Sequence, residues 1–217
     1  MTDTYNKQGV MSNTPEEAEF ELRAQIGSIW TGGRLFIGMY TFMIASLAFS
    51  YFYLRSSNNA DLWRPNHVTA PTAYGWSIYG LMLATGLLAA FGQKRLRKGQ
   101  VQDWMVATWT GVGLGLIALF LQVWELGKLP FYPGSSGYAS TFIGFVVMNI
   151  VSLVLGTYWL ETSVARAHRM AREGGANAVL ANTESGRTFR ANVASMSYFW
   201  GFLGLVGTMF LLMFYVL

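Results

Sequence analysis

Apolar residues along the chain gather into five long runs, at about 34–54, 73–93, 104–126, 138–161 and 196–217. Each is long enough to cross about 30 Å of hydrocarbon, which takes roughly 20 helical residues. The pattern predicts an all-α polytopic membrane protein, a bundle of five transmembrane helices. All five prolines (Pro15, Pro65, Pro71, Pro130 and Pro133) fall outside the runs, so nothing forces a break within a span. Unbroken helices in odd number disfavour a simple inverted-repeat carrier, whose substrate sits at interrupted helices in matching halves. The polar exception is "LFLQVWELGKLPF" (119–131), where Gln122 and Glu125 share one helix face at the end of the third run.

Composition agrees with the pattern: 53% of the 217 residues are hydrophobic and 12% charged, against about a quarter charged in soluble domains. Charge then sets an orientation. With five crossings, the N-terminus, the 94–103 loop and the 162–195 loop share a side. They hold twelve basic residues: Lys7, Arg23, Arg34, Lys94, Arg95, Arg97, Lys98, Arg166, Arg169, Arg172, Arg187 and Arg190. The other side has three, Arg55, Arg64 and Lys128. The basic excess marks the cytoplasmic side, so the N-terminus is expected inside and the C-terminus outside. The net charge of +4 is therefore topological. Nucleic-acid binding would need basic residues interleaved with stacking aromatics on a soluble face, and these clusters abut span ends instead.

Two parts are expected, a cytoplasmic segment 1–33 and a membrane domain 34–217. The first shows no basic stretch, short apolar core and small-residue cleavage site, so it does not read as a removable signal peptide. Its "TPEEAEFELRAQIG" opens as a short cytoplasmic or interfacial helix, with Thr14 as N-cap, Pro15 in the first turn and Glu17 completing a capping box. The 162–195 loop starts helical at "TSVARAHRMARE" and loosens through "GGANAVLANTESGR".

Candidate chemistry is sparse. No cysteine is present, which removes disulfides, thiolate metal sites and covalent haem attachment. The two histidines, His67 and His168, fall in loops, away from the positions inside a span where a haem or copper ligand is held. No metal, cofactor or catalytic residue is assigned to the chain. Glu161 lies at a span end, within reach of the interface. Gly111 and Gly115 of "GVGLG" form a small-xxx-small pair that favours close helix packing, and they lack the Lys-Ser/Thr of a phosphate loop. Glu125 admits two readings. It reaches headgroup water beside Lys128, or it turns inward with Gln122 to hydrogen-bond a neighbouring helix or a lipid.

A set of motifs extends this reading. "FLQVWEL" (120–126) is followed by the Gly/Ser-rich "PGSSGYASTFIGF" (133–145); "ASLAFSYFYLR" (45–55) ends the first span and "LWRP" (62–65) follows it; "SYFWGFLGLVGTMFLLMFYVL" (197–217) closes the chain. Over about residues 34–217 this resembles subunit III of the haem-copper respiratory oxidases, in its five-helix form. The likeness carries Gln122, Glu125, Tyr198 and Trp200. It departs where the family glutamate of the first of these helices gives way to Tyr40, where Val146 and Asn149 replace histidines, and where Gly201, Gly204 and Gly207 replace His, Asp and Trp. The three glycines form a ridge that admits a neighbouring helix or an acyl chain.

The resemblance implies a noncatalytic integral subunit in a bacterial cytoplasmic membrane. It would pack against the haem- and copper-bearing subunit I and other subunits of a terminal oxidase, with lipid or subunit contacts at Gln122, Glu125, Tyr198, Trp200, Gly201, Gly204 and Gly207. It also implies two helices splayed from the other three, with phospholipid in the cleft. Alternatives are the subunit III-like companion of a nitric oxide reductase, a transient assembly factor, or a small channel using Glu125, Gln122, Asn149 and Tyr40 as a polar path. The isolated chain is expected to show no haem absorbance and no bound transition metal. A stoichiometric Soret band in purified protein would refute that.

Overall fold

A computed structural model describes residues 14–58, 60–65 and 68–216; Lys7 and His67 lie outside them. Six α-helices are formed there: α1 (Pro15–Ser57), α2 (Ala60–Trp63), α3 (Thr72–Arg97), α4 (Val101–Leu126), α5 (Gly137–Gly174) and α6 (Glu184–Leu211). A 3₁₀ turn (Ala178–Leu180) precedes α6, and a π-helical turn (Leu212–Val216) extends it. No strand occurs among the described residues. All but α2 are long and apolar enough to cross a membrane, so the chain is an all-α, multi-pass membrane protein with five candidate spans.

The helix starts follow local chemistry. The Thr14 hydroxyl accepts from the Glu17 amide at 3.3 Å with Pro15 in the first turn, and Ser136 and Thr183 cap α5 and α6 in the same way. Between α3 and α4 the chain turns at Gly99, whose φ of 82° suits a residue without Cβ.

The expected boundary at 33/34 is not a break. α1 runs through it as one helix of 43 residues, on the order of 65 Å long at 1.5 Å per residue, about twice the hydrocarbon thickness. Gly27, Gly32 and Gly33 weaken a helix without ending it, since no proline accompanies them. Tertiary contacts fasten the protruding part. Arg187 of α6 donates to both carboxylate oxygens of Glu19 at 2.7 and 3.1 Å, Thr188 donates to Gln25 Oε1 at 3.2 Å, and Ser195 approaches the bare Cα of Gly33. The "TSVARAHRMARE" stretch likewise continues α5 without interruption.

Within the bundle α6 packs on α3, α1 and α5, while α4 lies between α3 and α5. Each spanning helix touches at least two others, and no pair stands apart. The splayed arrangement that the resemblance implies is replaced by a single bundle because glycines bring α3 and α6 into backbone contact. A Cβ on Gly86 would lie 2.9 Å from the Trp200 carbonyl oxygen, and one on Gly207 would lie 3.0 Å from the Tyr79 ring. Gly111 and Gly115 do the same for α4, facing Leu160 and Thr157 of α5, as the small-xxx-small spacing predicts.

The C-terminal turn is held by tyrosines. The Tyr51 hydroxyl donates to the Met213 carbonyl at 2.6 Å and the Tyr138 hydroxyl to the Phe214 carbonyl at 3.0 Å, satisfying acceptors that a helix end leaves open. Around them Trp63, Tyr138, Phe142 and Phe214 stack edge to face.

Two outcomes follow. Gly86→Ala should lower thermal stability by about 1–3 kcal/mol, because its methyl meets backbone that cannot step aside. Gly38→Ala, with nothing within 4 Å, should be neutral or slightly stabilising; equal melting of the two variants would contradict this packing. The second concerns the strap. Arg187, then Arg23, hold the Glu19 carboxyl below its ordinary value of 4.5. Its contribution is therefore present above that value and is lost as the pH falls through the lowered one. Spin labels at Glu21→Cys and Ser185→Cys, clean to introduce in a cysteine-free chain, should report a broader distance distribution in strong acid, and in Arg187→Gln at neutral pH.

Candidate functional site

The last turn of α4 carries the polar pair inward. Gln122 and Glu125 are both 0% exposed, so the reading in which Glu125 reaches headgroup water beside Lys128 does not hold. Lys128 instead places its ammonium 5.6 Å from the centre of the Trp124 ring. Hydrogen bonds run one way, toward the carboxylate. Asn149 Nδ2 of α5 donates to Gln122 Oε1 at 2.7 Å, Gln122 Nε2 donates to Glu125 Oε2 at 2.6 Å, and the Tyr215 hydroxyl donates to Glu125 Oε1 at 2.6 Å. Asn149 Nδ2 also meets Met82 Sδ of α3 at 3.5 Å. One cluster thus joins α3, α4, α5 and the end of α6.

Burying a carboxylate costs several kcal/mol when nothing compensates it. Two donors on its two oxygens, each at 2.6 Å, offset part of that cost, and charge-assisted bonds of this length are about twice as strong as neutral ones. The nearby Tyr79 is 3% exposed, its ring 6.1 Å from that of Tyr215, and its hydroxyl has no hydrogen-bond partner among the described residues.

A second polar contact lies one turn along α5. The Tyr40 hydroxyl of α1 is hydrogen-bonded to Ser152 Oγ and donates to the Met148 carbonyl at 3.3 Å. No hydrogen bond among the described residues joins this pair to Asn149, so Tyr40, Asn149, Gln122 and Glu125 do not form one continuous path.

The other residues singled out from the sequence fall in three places. Trp200 is 0% exposed and its indole donates to the Gly156 carbonyl of α5 at 3.1 Å. Gly204 and Gly207 face Leu83 and Tyr79 of α3. Tyr198 and Gly201 look away from the core: Tyr198 is 63% exposed, and a Cβ on Gly201 would meet nothing within 4 Å. The glycine ridge is therefore half helix contact and half open surface.

The quoted motifs also converge at the end of the bundle that carries few basic residues. Arg55 donates to the Tyr51 hydroxyl at 3.0 Å, Trp63 meets the Tyr51 ring at 5.1 Å, and Arg64 sits 4.6 Å over the Tyr138 ring. Sequence reasoning missed Tyr215, Tyr79, Met82 and Ser152. Tyr215 was accessible to it, since depth along the last run places the residue level with Glu125.

No cluster of three or more His, Cys, Asp or Glu side chains occurs among the described residues. The cluster's evident capability is to tie helices through directed hydrogen bonds. The fold and the cluster together define a polytopic α-helical membrane protein. No family model matches the chain, and a search of the curated proteins finds no match either.

Glu125→Leu should destabilise the bundle, because it leaves the Gln122 amide and the Tyr215 hydroxyl without an acceptor, at about 1–3 kcal/mol for each orphaned group. Glu125→Gln retains an oxygen and an amide at the same place and should melt well above the leucine variant. Wild-type melting in Glu125→Leu would show that the cluster carries no stability.

Proposed function

We propose that this chain is a noncatalytic integral subunit of a respiratory terminal oxidase complex, subunit III-like, which packs against and stabilises the haem-copper catalytic subunit. The observation that carries the reading is the unpartnered flank of α1. Only 17% of its apolar window is buried, against 50% for α5 and α6, and Leu35, Met39, Phe42 and Phe49 are all more than 60% exposed. A face of that length and apolarity is supplied with a neighbour by lipid or by another helix. The motif likeness at "FLQVWEL", "LWRP" and "PGSSGYASTFIGF" supports the second, with haem and copper in the partner and phospholipid around the assembly. Glu125, Gln122, Asn149, Tyr40 and Trp200 are engaged in tying helices, which suits a scaffold. The broken polar path weighs against the channel, and nothing observed favours the nitric oxide reductase companion over the oxidase.

On this reading the N-terminus faces the cytoplasm of a bacterial cell and the membrane is its inner one, an orientation that the basic asymmetry supports. Single cysteines introduced at Ser185 and Ser135 should label from the cytoplasmic and the outer face respectively with an impermeant maleimide, and the reverse pattern would overturn the orientation. The function itself is tested by purifying the chain in mild detergent with its native partners and identifying them by mass spectrometry. Stoichiometric recovery with a large, histidine-rich polytopic subunit is the expected result. Recovery as a homo-oligomer alone contradicts it, and trace recovery at changing stoichiometry fits the assembly factor.

A further inference from the structure

At the end of the bundle that carries most of the basic residues, α1 and α3 each pack on α6 far more than on one another, and α6 lies behind the gap between them. The result is a groove of about 500 Å³, with Ile37 on one wall, Ala90 on the other, and Gly201, Phe202 and Leu205 in the floor. That volume lies within the range of small-molecule ligand sites, room for a part of a lipid such as one acyl chain. From Ala194 to Leu205 the floor extends on the order of 16 Å at 1.5 Å per residue, about half the hydrocarbon thickness, so the groove serves one leaflet. Gly201 keeps the floor low, since any larger side chain would fill the space that its missing Cβ leaves open.

The mouth has a different chemistry. Trp30, Gln93 and Arg97 line it, and a smaller adjoining cavity of about 230 Å³ adds Arg190. Arg190 is held in place by donating to the Val179 and Ala181 carbonyls, both at 3.0 Å. The Arg97 guanidinium has no ion pair or hydrogen bond among the described residues. Neither cavity is lined by an aspartate or glutamate. Two guanidiniums without a counter-charge at headgroup depth, above an apolar slot one leaflet deep, complement an anion that carries acyl chains, and basic pockets between spanning helices bind such headgroups.

We propose that this groove is a binding site for one anionic glycerophospholipid, its phosphate at Arg97 and Arg190 and one acyl chain along Gly201 between α1 and α3. The inference rests on the membrane reading of the chain and is independent of which partner it assembles with. It differs from the cleft between splayed helices that the family resemblance implies, because the bundle has no such cleft.

The test uses the full chain in mild detergent, with bound lipid counted by native mass spectrometry and melting followed with added phosphatidylglycerol or phosphatidylcholine. Phosphatidylglycerol should be retained and should raise the melting temperature more than phosphatidylcholine. Arg97→Gln should cut the preference about fivefold, the share of one basic residue at the headgroup, whereas Arg172→Gln, outside the groove, should leave it unchanged. Gly201→Leu should abolish retention of either lipid while melting like wild type without lipid. If that variant does not fold, the Arg97→Gln result alone decides. Equal stabilisation by both lipids, undiminished binding in Gly201→Leu, or an equal effect from glycerol 3-phosphate, which has the headgroup and no tail, would overturn the proposal. Loss of the lipid preference with normal partner recovery sinks the groove alone, and the converse sinks only the oxidase reading.

Discussion

A carboxyl group enclosed by helices has neither water nor a cation to satisfy it, so its neighbours must supply the hydrogens. Glu125 is that group here, and the bundle is arranged around supplying it. Donors arrive from its own helix through Gln122, from α5 through Asn149 at one remove, and from the C-terminal turn through Tyr215. For Tyr215 to reach, the end of α6 must sit at the level of the end of α4. The π-helical turn and the two tyrosine caps on Met213 and Phe214 hold it there. Position, registry and polar satisfaction are thus one constraint, since a shift of α6 by a turn would take away one of the carboxylate's two donors.

Away from that cluster the bundle is held by approach distance. Apolar burial does not distinguish a helix neighbour from a lipid tail, so association in the bilayer depends on backbones coming close and on hydrogen bonds. Gly86, Gly207, Gly115 and Gly156 provide the closeness, each facing an atom that a methyl would strike or press. α1 lacks such close approach inside the hydrocarbon, where the Tyr40 and Tyr51 hydroxyls hold it, and it is fastened beyond by Glu19 with Arg187 and by Gln25 with Thr188. A helix tied at its polar end and bare along its apolar flank is suited to lying between this bundle and something else, which is why the scaffold reading starts from α1.

Much of this was legible in the sequence. The five runs, the Thr14 cap and the packing role of Gly111 and Gly115 follow from local chemistry and spacing, which are properties of single segments. The inward face of Gln122 and Glu125 was one of two open readings, because the cost of burial can be met by water or by partners and a single helix does not say which. Tyr215 lies 90 residues from Glu125, and although depth along the last run puts the two at one level, only the packed bundle shows that they meet. The glycine ridge was read as one surface, yet Gly201 opens to a groove while Gly204 and Gly207 meet α3. Spacing of three carries residues slowly around a helix, and neighbours decide where the contact ends. The continuity of α1 through residue 33 was missed for the same reason: its fastening residues are on α6.

The central claim is that one enclosed carboxylate couples the ends of α4 and α6. A double-mutant cycle on Gln122→Leu and Tyr215→Phe, read by reversible unfolding in detergent, tests it most directly, since both side chains donate to the same group. A coupling of about 0.5–3 kcal/mol between the two substitutions is expected. Additive effects, within about 0.3–0.5 kcal/mol, would mean that the two donors do not share an acceptor, and the account would fail.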